Sequence, residues 1–200
     1  MDVAPVRARS DTRAAILDTA EELVQTRGFN GFSYADVSSA LGVTNAALHY
    51  HFPGKAELGH ALIARYAERF MGSLRAIEEG GAPPPDRLRA YAELYGSVLE
   101  ADRMCLCGML AAEYQTLPDA MRQDVVAFFD ANHEWLARVL EEGRADGTLR
   151  FAGRAEDAAD LTVGTLEGAL LVARTYGDTG RFKAVAQQLL TEFGATERPS

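Results

Sequence analysis

A group of polar and aromatic side chains near the amino end of the chain has the chemistry needed to contact nucleic acid. Hydroxyl, amide, imidazole and phenol groups are the donors and acceptors that contact base edges and phosphates. The candidates for DNA contacts are Ser33, Tyr34, Thr44, Asn45, His49, Tyr50, His51 and Lys55. The alternative is a solvated helix face, with Tyr34 and His51 packed inside the fold.

Two short helices separated by a turn are predicted to position these side chains. Ser33 is a good N-cap and Asp36 can complete a shortened capping box, so a helix should begin at Tyr34. Gly42 supplies the left-handed residue that ends this helix. Thr44 then caps the second helix.

The second helix is predicted to turn one face inward and to leave the other free. Leu48 lies on the inner face, whereas Asn45, His49 and Tyr50 are expected to point away from the first helix. A short connection holds two such helices at a large angle and leaves the second exposed enough to enter a groove. Residues 33–52 therefore predict a helix-turn-helix.

The same segment resembles a known family. Leu48-His49-Tyr50-His51-Phe52 followed by Lys55 looks like the recognition helix of the tetracycline-repressor (TetR) family, with His49 where Tyr is usual. Thr12–Leu17 and Gly28-Phe29 resemble the first helix of that family and its end. The resemblance implies contacts to base edges or adjacent phosphates from Thr44, Asn45 and His49. It implies phosphate contacts from Ser33, Tyr34, Tyr50, His51 and Lys55.

Charge is distributed unevenly along this 200-residue chain, whose net charge is −9. Residues 1–55 carry five Lys or Arg against six acidic residues, so the acidic excess lies in the remainder. This acidic remainder of the chain is repelled by phosphates and would orient the molecule with its amino-terminal part on a duplex. No apolar run is long enough for a membrane span and no secretory signal is visible, so a cytoplasmic protein is expected.

Helical periodicity without any alternating pattern predicts an all-α fold of about nine helices. A first helix should be capped by Ser10 or Asp11 after a short arm, Met1–Arg9, and a long helix should run from Lys55 to the break at Glu79–Pro85. Residues 10–70 are predicted to form a helix-turn-helix DNA-binding domain, and residues 71–200 a helical bundle for ligand binding and dimerisation. Later helices are expected over Asp86–Leu99, Leu106–Gln115, Asp119–Ala145, Ala155–Tyr176 and Thr179–Phe193.

The two cysteines, Cys105 and Cys107, lie where a helix is predicted to start. A helix dipole and the nearby Arg103 would favour a reactive thiolate, so a sensor of oxidants or electrophiles is one hypothesis. Segments beginning at Cys105 and Gly164 also resemble the carboxyl-terminal domain of a TetR subgroup that includes multidrug-type and electrophile-sensing repressors. The alternative is two small buried hydrophobic residues. A Cys-x-Cys pair without a nearby His offers too few ligands for a zinc site.

An effector pocket is expected inside the helical bundle of residues 71–200, because large aromatic and Met side chains there suit a small apolar or amphiphilic ligand. The proposed lining is Tyr91, Tyr95, Met109, Tyr114, Met121, Phe128, Phe129, Trp135 and Leu166. The alternative for each residue is ordinary core packing. His133 is expected to be a satisfied core histidine.

The last two helices are expected to form a homodimer interface. Gly164 and Gly168 share a helix face and permit close approach, and Leu171 and Leu189 are the apolar candidates beside them. The alternative is that these faces pack only within the chain. The DNA-binding domains of the two subunits, about one DNA turn apart at roughly 34–36 Å, would then match a near-palindromic operator.

These features predict a ligand-responsive DNA-binding regulator, most simply a repressor, with no cofactor. The resemblance implies that an effector bound in the carboxyl-terminal domain shifts the packing of its helices, and that the long fourth helix then moves the DNA-binding domains. The chain shows no catalytic motif and no metal-ligand spacing. The alternatives are a thiol-based sensor acting through Cys105 and, from another class, a small helical enzyme or cofactor carrier.

Overall fold

A computed structural model of the chain describes residues 6–195, and within them the fold is all-α, as the periodicity predicts. No strand occurs in this range, and no helix in it is long and apolar enough to cross a membrane. The helices are α1 (Val6–Arg27), α2 (Tyr34–Leu41), α3 (Asn45–His51), α4 (Lys55–Glu79), α5 (Pro84–Glu100), α6 (Leu106–Ala112), α7 (Asp119–Ala145), α8 (Ala155–Tyr176) and α9 (Thr179–Glu192). A 3-10 turn covers Tyr114–Thr116.

Helix α1 begins earlier than the sequence suggested. The predicted start at Ser10 or Asp11 is wrong, because the backbone is already helical from Val6. No Gly or Pro interrupts the sequence from Val6 to Arg27, so no residue strongly disfavours the helix over this length. The part of the predicted arm that precedes Val6 lies outside the described residues.

The segment after α6 also departs from the prediction of one helix over Leu106–Gln115. Helix α6 ends at Ala112, and a 3-10 turn follows it. Leu117 is extended, with ψ at 147°, because the next residue is Pro118 and a residue before proline disfavours helical backbone. The chain therefore has to leave the helix before that point.

The described chain forms two compact units. The first contains residues up to 67 and residues 106–126, and its core combines α1 side chains such as Ile16 and Val24 with Phe29, Leu48 and Phe52. Residues 106–126 thus pack with the amino-terminal helices, although the sequence analysis assigned them to the second domain. The domain boundary between residues 70 and 71 stays a prediction.

The second unit contains residues 68–105 and the chain from residue 127 onward. Helices α5, α8 and α9 pack against one another in it. Its core includes fully buried aromatic side chains, among them Tyr91 and Tyr95, together with Trp135 on α7. These aromatic side chains form the interior of the second unit.

Candidate nucleic-acid interface and effector site

Local capping fixes α2 and α3 as the sequence predicts. The Ser33 hydroxyl accepts from the Asp36 backbone N–H, and the Asp36 carboxylate accepts from the Ser33 backbone N–H at 2.7 Å. Gly42 ends α2 with φ at +65°. Thr44 Oγ1 accepts from the Ala47 N–H at 3.2 Å and so starts α3.

One face of α3 is left exposed by this arrangement. Leu48 is 1% exposed and anchors the helix, whereas Tyr50 is 63% exposed and Asn45 is also exposed. Thr44 is exposed as well, although its hydroxyl serves the cap. The amide of Asn45 and the ring of Tyr50 therefore lie on the exposed face of α3.

His49 and Tyr34 contact each other, which corrects the expectation that His49 points away from α2. Their ring centroids are 4.8 Å apart, and His49 Nδ1 lies 3.0 Å from the carbonyl oxygen of Pro53. The Tyr34 hydroxyl donates to the carbonyl of Phe52 at 3.0 Å, so its ring is drawn to the carboxyl end of α3. Burial and the nearby Glu57 raise the pKa of Tyr34 to about 12.

Ser33 and His51 also have partners within the fold. The Ser33 hydroxyl lies 2.6 Å from the Asp36 carboxylate, and its hydrogen bonds are the main cause that lowers the pKa of Asp36. His51 is half-buried with its ring 5.3 Å from that of Tyr50. Their predicted phosphate contacts stay predictions.

Lys55 does not present a free ammonium to solvent, which corrects the expectation for this residue. Its Nζ donates to the carbonyls of Phe29 and Phe32 at 2.5 Å each. The same nitrogen lies 4.6 Å from the Phe29 ring centroid and 4.3 Å from the Phe32 ring centroid. These hydrogen bonds hold the loop between α1 and α2 in place, and burial lowers the pKa of Lys55.

Glu113 holds the other side of the same loop, and the sequence analysis did not single it out. Its carboxylate accepts from the backbone N–H of Phe29 at 2.6 Å and from that of Asn30 at 3.2 Å. The Asn30 side chain donates to Thr116 Oγ1 at 2.7 Å. These partners are more than eighty residues apart in sequence, so no local pattern could have indicated them.

Residues predicted to line an effector pocket fall in both compact units. Tyr91, Tyr95, Phe128, Trp135 and Leu166 are buried in the second unit, and Phe129 is half-buried there. Met109, Tyr114 and Met121 belong to the first unit.

Two of the first-unit residues have other roles. Tyr114 is 37% exposed beneath the guanidinium of Arg122, so the prediction that it looks inward is wrong. Met121 is fully buried close to Gly59, where an added Cβ would meet its sulfur at 2.5 Å. A larger residue at position 59 would therefore displace Met121.

Polar groups lie among the aromatic rings of the second unit. The Tyr91 hydroxyl donates to Asn132 Oδ1 at 2.9 Å and lies 3.3 Å from the Tyr95 hydroxyl. Glu167 on α8 forms hydrogen bonds with the Cys105 thiol and the Tyr95 hydroxyl. Its Oε1 and the Trp135 Nε1 are buried without a hydrogen-bond partner. Sequence analysis missed both Glu167 and Asn132, because single polar residues on helices give no spacing signal.

Neither cysteine forms a disulfide, and both are buried, with Cys105 1% exposed and Cys107 0% exposed. Cys105 immediately precedes α6, as the sequence predicted. Low exposure is the state expected of small hydrophobic residues, which was the alternative interpretation.

An exposed apolar stripe runs along α8. Gly164 and Gly168 face open space, while Leu161 is 55% exposed and Leu171 is 61% exposed. Leu189 on α9 was also predicted at the dimer interface, but it is 8% exposed and packs within its own chain. His133 is not a core histidine either, since it is half-exposed and its Nδ1 lies 2.8 Å from the Asp160 carboxylate.

Comparison with known proteins finds a family-model match for both the amino-terminal and the carboxyl-terminal part of the chain. Residues 16–62 match the model for bacterial regulatory proteins, tetR family, and residues 84–189 match a tetracyclin repressor-like C-terminal domain. The structure of a TetR-family transcriptional regulator from Agrobacterium tumefaciens is 34% identical, with a TM-score of 0.89, and the match covers 92% of this chain and 98% of that one.

Relatives known by function are more distant. The HTH-type transcriptional repressor DhaR of Mycobacterium sp. (strain GP1) is 22% identical over 82% of this chain and 83% of its own length. The HTH-type transcriptional repressor NemR of Escherichia coli K12 is 27% identical over 82% of this chain and 84% of its own length. The carboxyl-terminal match alone spans more than half of the sequence, and the helix-turn-helix match precedes it. This chain belongs to the tetR family of bacterial regulatory proteins.

Proposed function

We propose that this chain is a transcriptional repressor that binds operator DNA as a homodimer and releases it when a small molecule binds. The observation that carries the proposal is the exposed polar face of α3, held by the Thr44 cap and the Leu48 anchor. Helices of this kind enter the major groove with their exposed side chains toward the bases. Repression is supported by the relatives DhaR and NemR, which are both described as repressors.

Within α3, Asn45 and Tyr50 are the residues proposed to touch DNA. An amide side chain can bond a base edge on two atoms, which favours one base over another. A phenol at the surface suits a phosphate oxygen, which contributes affinity without sequence preference. The two residues should therefore differ in what their loss does.

The exposed stripe on α8 supports dimerisation. Contiguous apolar residues on a surface mark interaction sites, and two glycines without side chains allow a second helix to approach closely. Leu161, Gly164, Gly168 and Leu171 are the residues of this stripe that we propose meet the partner subunit. A two-fold dimer reads two half-sites, which is what makes binding by one short helix specific.

The buried aromatic interior of the second unit supports the small-molecule part of the proposal. Tyr91, Tyr95 and Trp135 provide large apolar walls with a few polar atoms between them, the usual composition of a ligand site. No catalytic role is proposed for these groups. The thiol-sensing alternative stays a prediction, and retention of induction by the double variant Cys105→Ser, Cys107→Ser would exclude it.

Binding of the purified protein to the DNA upstream of its own gene tests the proposal, measured by fluorescence anisotropy. Tyr50→Phe should weaken binding to all sequences alike, whereas Asn45→Ala should reduce discrimination at one operator position by about 1–3 kcal/mol. Gln123→Ala, at an exposed position of α7, is the matched control and should leave binding unchanged. Unchanged binding by both α3 variants would contradict the proposed interface.

A further inference from the structure

We propose that the polar and aromatic cluster of the second unit, formed by Phe70, Tyr91, Tyr95, Trp135 and Glu167, binds a small organic cation that also carries a hydrogen-bond acceptor. The inference rests on the proposed function, because it names the chemical class of the effector. These five side chains lie on α4, α5, α7 and α8, and together they are called the cation-binding site below.

The carboxylate of Glu167 is the first reason for a positively charged ligand. Oε1 is buried without a hydrogen-bond partner, while the group as a whole is held by the Cys105 thiol and the Tyr95 hydroxyl. Among the described residues no Lys, Arg or His pairs with it. A buried carboxylate is stabilised by an opposite charge beside it, and an ammonium group supplies that charge.

Aromatic rings lie beside this carboxylate, since Tyr91 and Tyr95 both interact with it, and they favour the same ligand. The Tyr91 ring stacks on Trp135, with centroids 5.6 Å apart and planes inclined by 17°. Phe70 meets the Tyr91 ring edge-on at 6.1 Å and the Tyr95 ring at 5.9 Å. The faces of Trp and Tyr rings attract cations through their quadrupole, and methylated ammonium groups are bound in this way.

Trp135 adds a requirement for an acceptor on the ligand. Its side chain is 3% exposed, and Nε1 is an indole donor without an acceptor. An indole nitrogen can only donate, so a hydroxyl or carbonyl oxygen is its natural partner. A purely apolar ligand would leave both Trp135 Nε1 and Glu167 Oε1 unpaired, which is unfavourable for buried groups.

Titration of Glu167 gives the site a measurable signature. Burial raises the pKa of Glu167 to about 7, and the hydrogen bonds from Cys105 and Tyr95 oppose that rise. Cys105, Tyr91 and Tyr95 are the titratable groups that interact with it. A bound cation stabilises the ionised carboxylate, so binding slightly below pH 7 should release most of one proton per site.

Fluorescence of the full-length protein reports on this site directly, because Trp135 is the only tryptophan in the chain. The probe is (3-hydroxypropyl)trimethylammonium, and its matched control is 4,4-dimethylpentan-1-ol, in which carbon replaces the charged nitrogen. We expect a saturable change in Trp135 emission with the cation and at least tenfold weaker binding of the neutral alcohol. Equal affinities, or no saturable signal with the cation, would overturn the inference.

Variants and calorimetry separate the carboxylate from general packing. Glu167→Gln should lose at least tenfold in affinity for the cation and little for the alcohol, while Glu93→Gln, exposed on α5, should bind like the wild type. Titration calorimetry of the wild type at pH 6.5 in buffers of different ionisation enthalpy should show proton release with the cation only. Absence of that release would contradict the inference even if Glu167→Gln failed to fold.

Operator binding without any probe distinguishes this inference from the proposed function. If the wild type binds its upstream DNA but shows no saturable binding of the cation, only the cation-binding site is refuted. If the cation binds with proton release but no DNA is bound, the site stands and the repressor function fails.

Discussion

Replacing Glu113 by Gln tests whether the loop between α1 and α2 has to be held for DNA binding. Its carboxylate accepts from the backbone N–H groups of Phe29 and Asn30, while Lys55 binds the loop from the carbonyl side. Ser33, which caps α2, follows directly after this loop. Glu113→Gln keeps the size of the side chain but removes its charge and one acceptor oxygen.

The magnitude follows from the type of hydrogen bond lost. Bonds to a charged acceptor contribute about 1.5–3 kcal/mol, against about 0.5–1.5 kcal/mol for neutral pairs. The free energy of unfolding should therefore fall by about 1–2 kcal/mol, or roughly 2–8 °C in Tm for a chain of this length. If the whole cost falls on the DNA-competent form, DNA affinity decreases by about 5–30-fold.

The direction in which DNA affinity changes makes the test decisive. Removing a negative charge from an acidic protein should by itself strengthen binding to phosphates. Asp130→Asn, at an exposed position of α7, is the control that makes the same charge change away from the loop. Anisotropy titrations with the upstream DNA should show weaker binding for Glu113→Gln and equal or slightly tighter binding for Asp130→Asn.

A Glu113→Gln protein that binds DNA as tightly as Asp130→Asn would refute the reasoning, since the contacts of Glu113 would then not matter to DNA binding. A lower Tm with unchanged DNA affinity would show that the loop contributes to folding only.

Three further predictions address the other contacts. Lys55→Met should lower Tm but leave the slope of log K against log salt concentration unchanged, whereas loss of a phosphate contact would reduce that slope by about 0.9 per contact. The pKa of Glu167 is raised from 4.5 to about 7, so the native state binds its proton more tightly than the unfolded chain does. The unfolding free energy should consequently fall by about 3 kcal/mol as pH rises from about 4.5 to 7, and Glu167→Gln should abolish that fall in urea titrations. Leu171→Glu should shift the protein toward monomer in sedimentation velocity and weaken DNA binding, while Val126→Glu, exposed outside the stripe, should leave the mass unchanged.

Local sequence signals were sufficient for the helix-turn-helix. The Ser33 and Asp36 capping box, the left-handed Gly42 and the Thr44 cap each involve residues within a few positions of one another. Their geometry depends on backbone preferences and short-range hydrogen bonds, which the sequence states directly. The same holds for Leu48, whose inward position follows from helical spacing.

The roles of individual polar side chains were decided by the tertiary structure. Lys55 was expected on a phosphate from the family resemblance, yet its ammonium donates to the loop carbonyls of Phe29 and Phe32. His49 is exposed but was expected to point away from α2, yet the hydrogen bond from Tyr34 to Phe52 holds the Tyr34 ring against it. A long side chain takes the partner that folding brings nearest, and sequence spacing does not specify that partner.

The sequence by itself determined that the chain is helical, where its recognition helix begins and ends, and which family it resembles, since all of these depend on neighbouring residues. Only the tertiary structure decided that Glu113 holds the loop between α1 and α2 and that the Glu167 carboxylate lies beside Cys105 and Tyr95. These contacts join residues that lie far apart along the chain, and the environment of a charged group is set by what the fold packs around it.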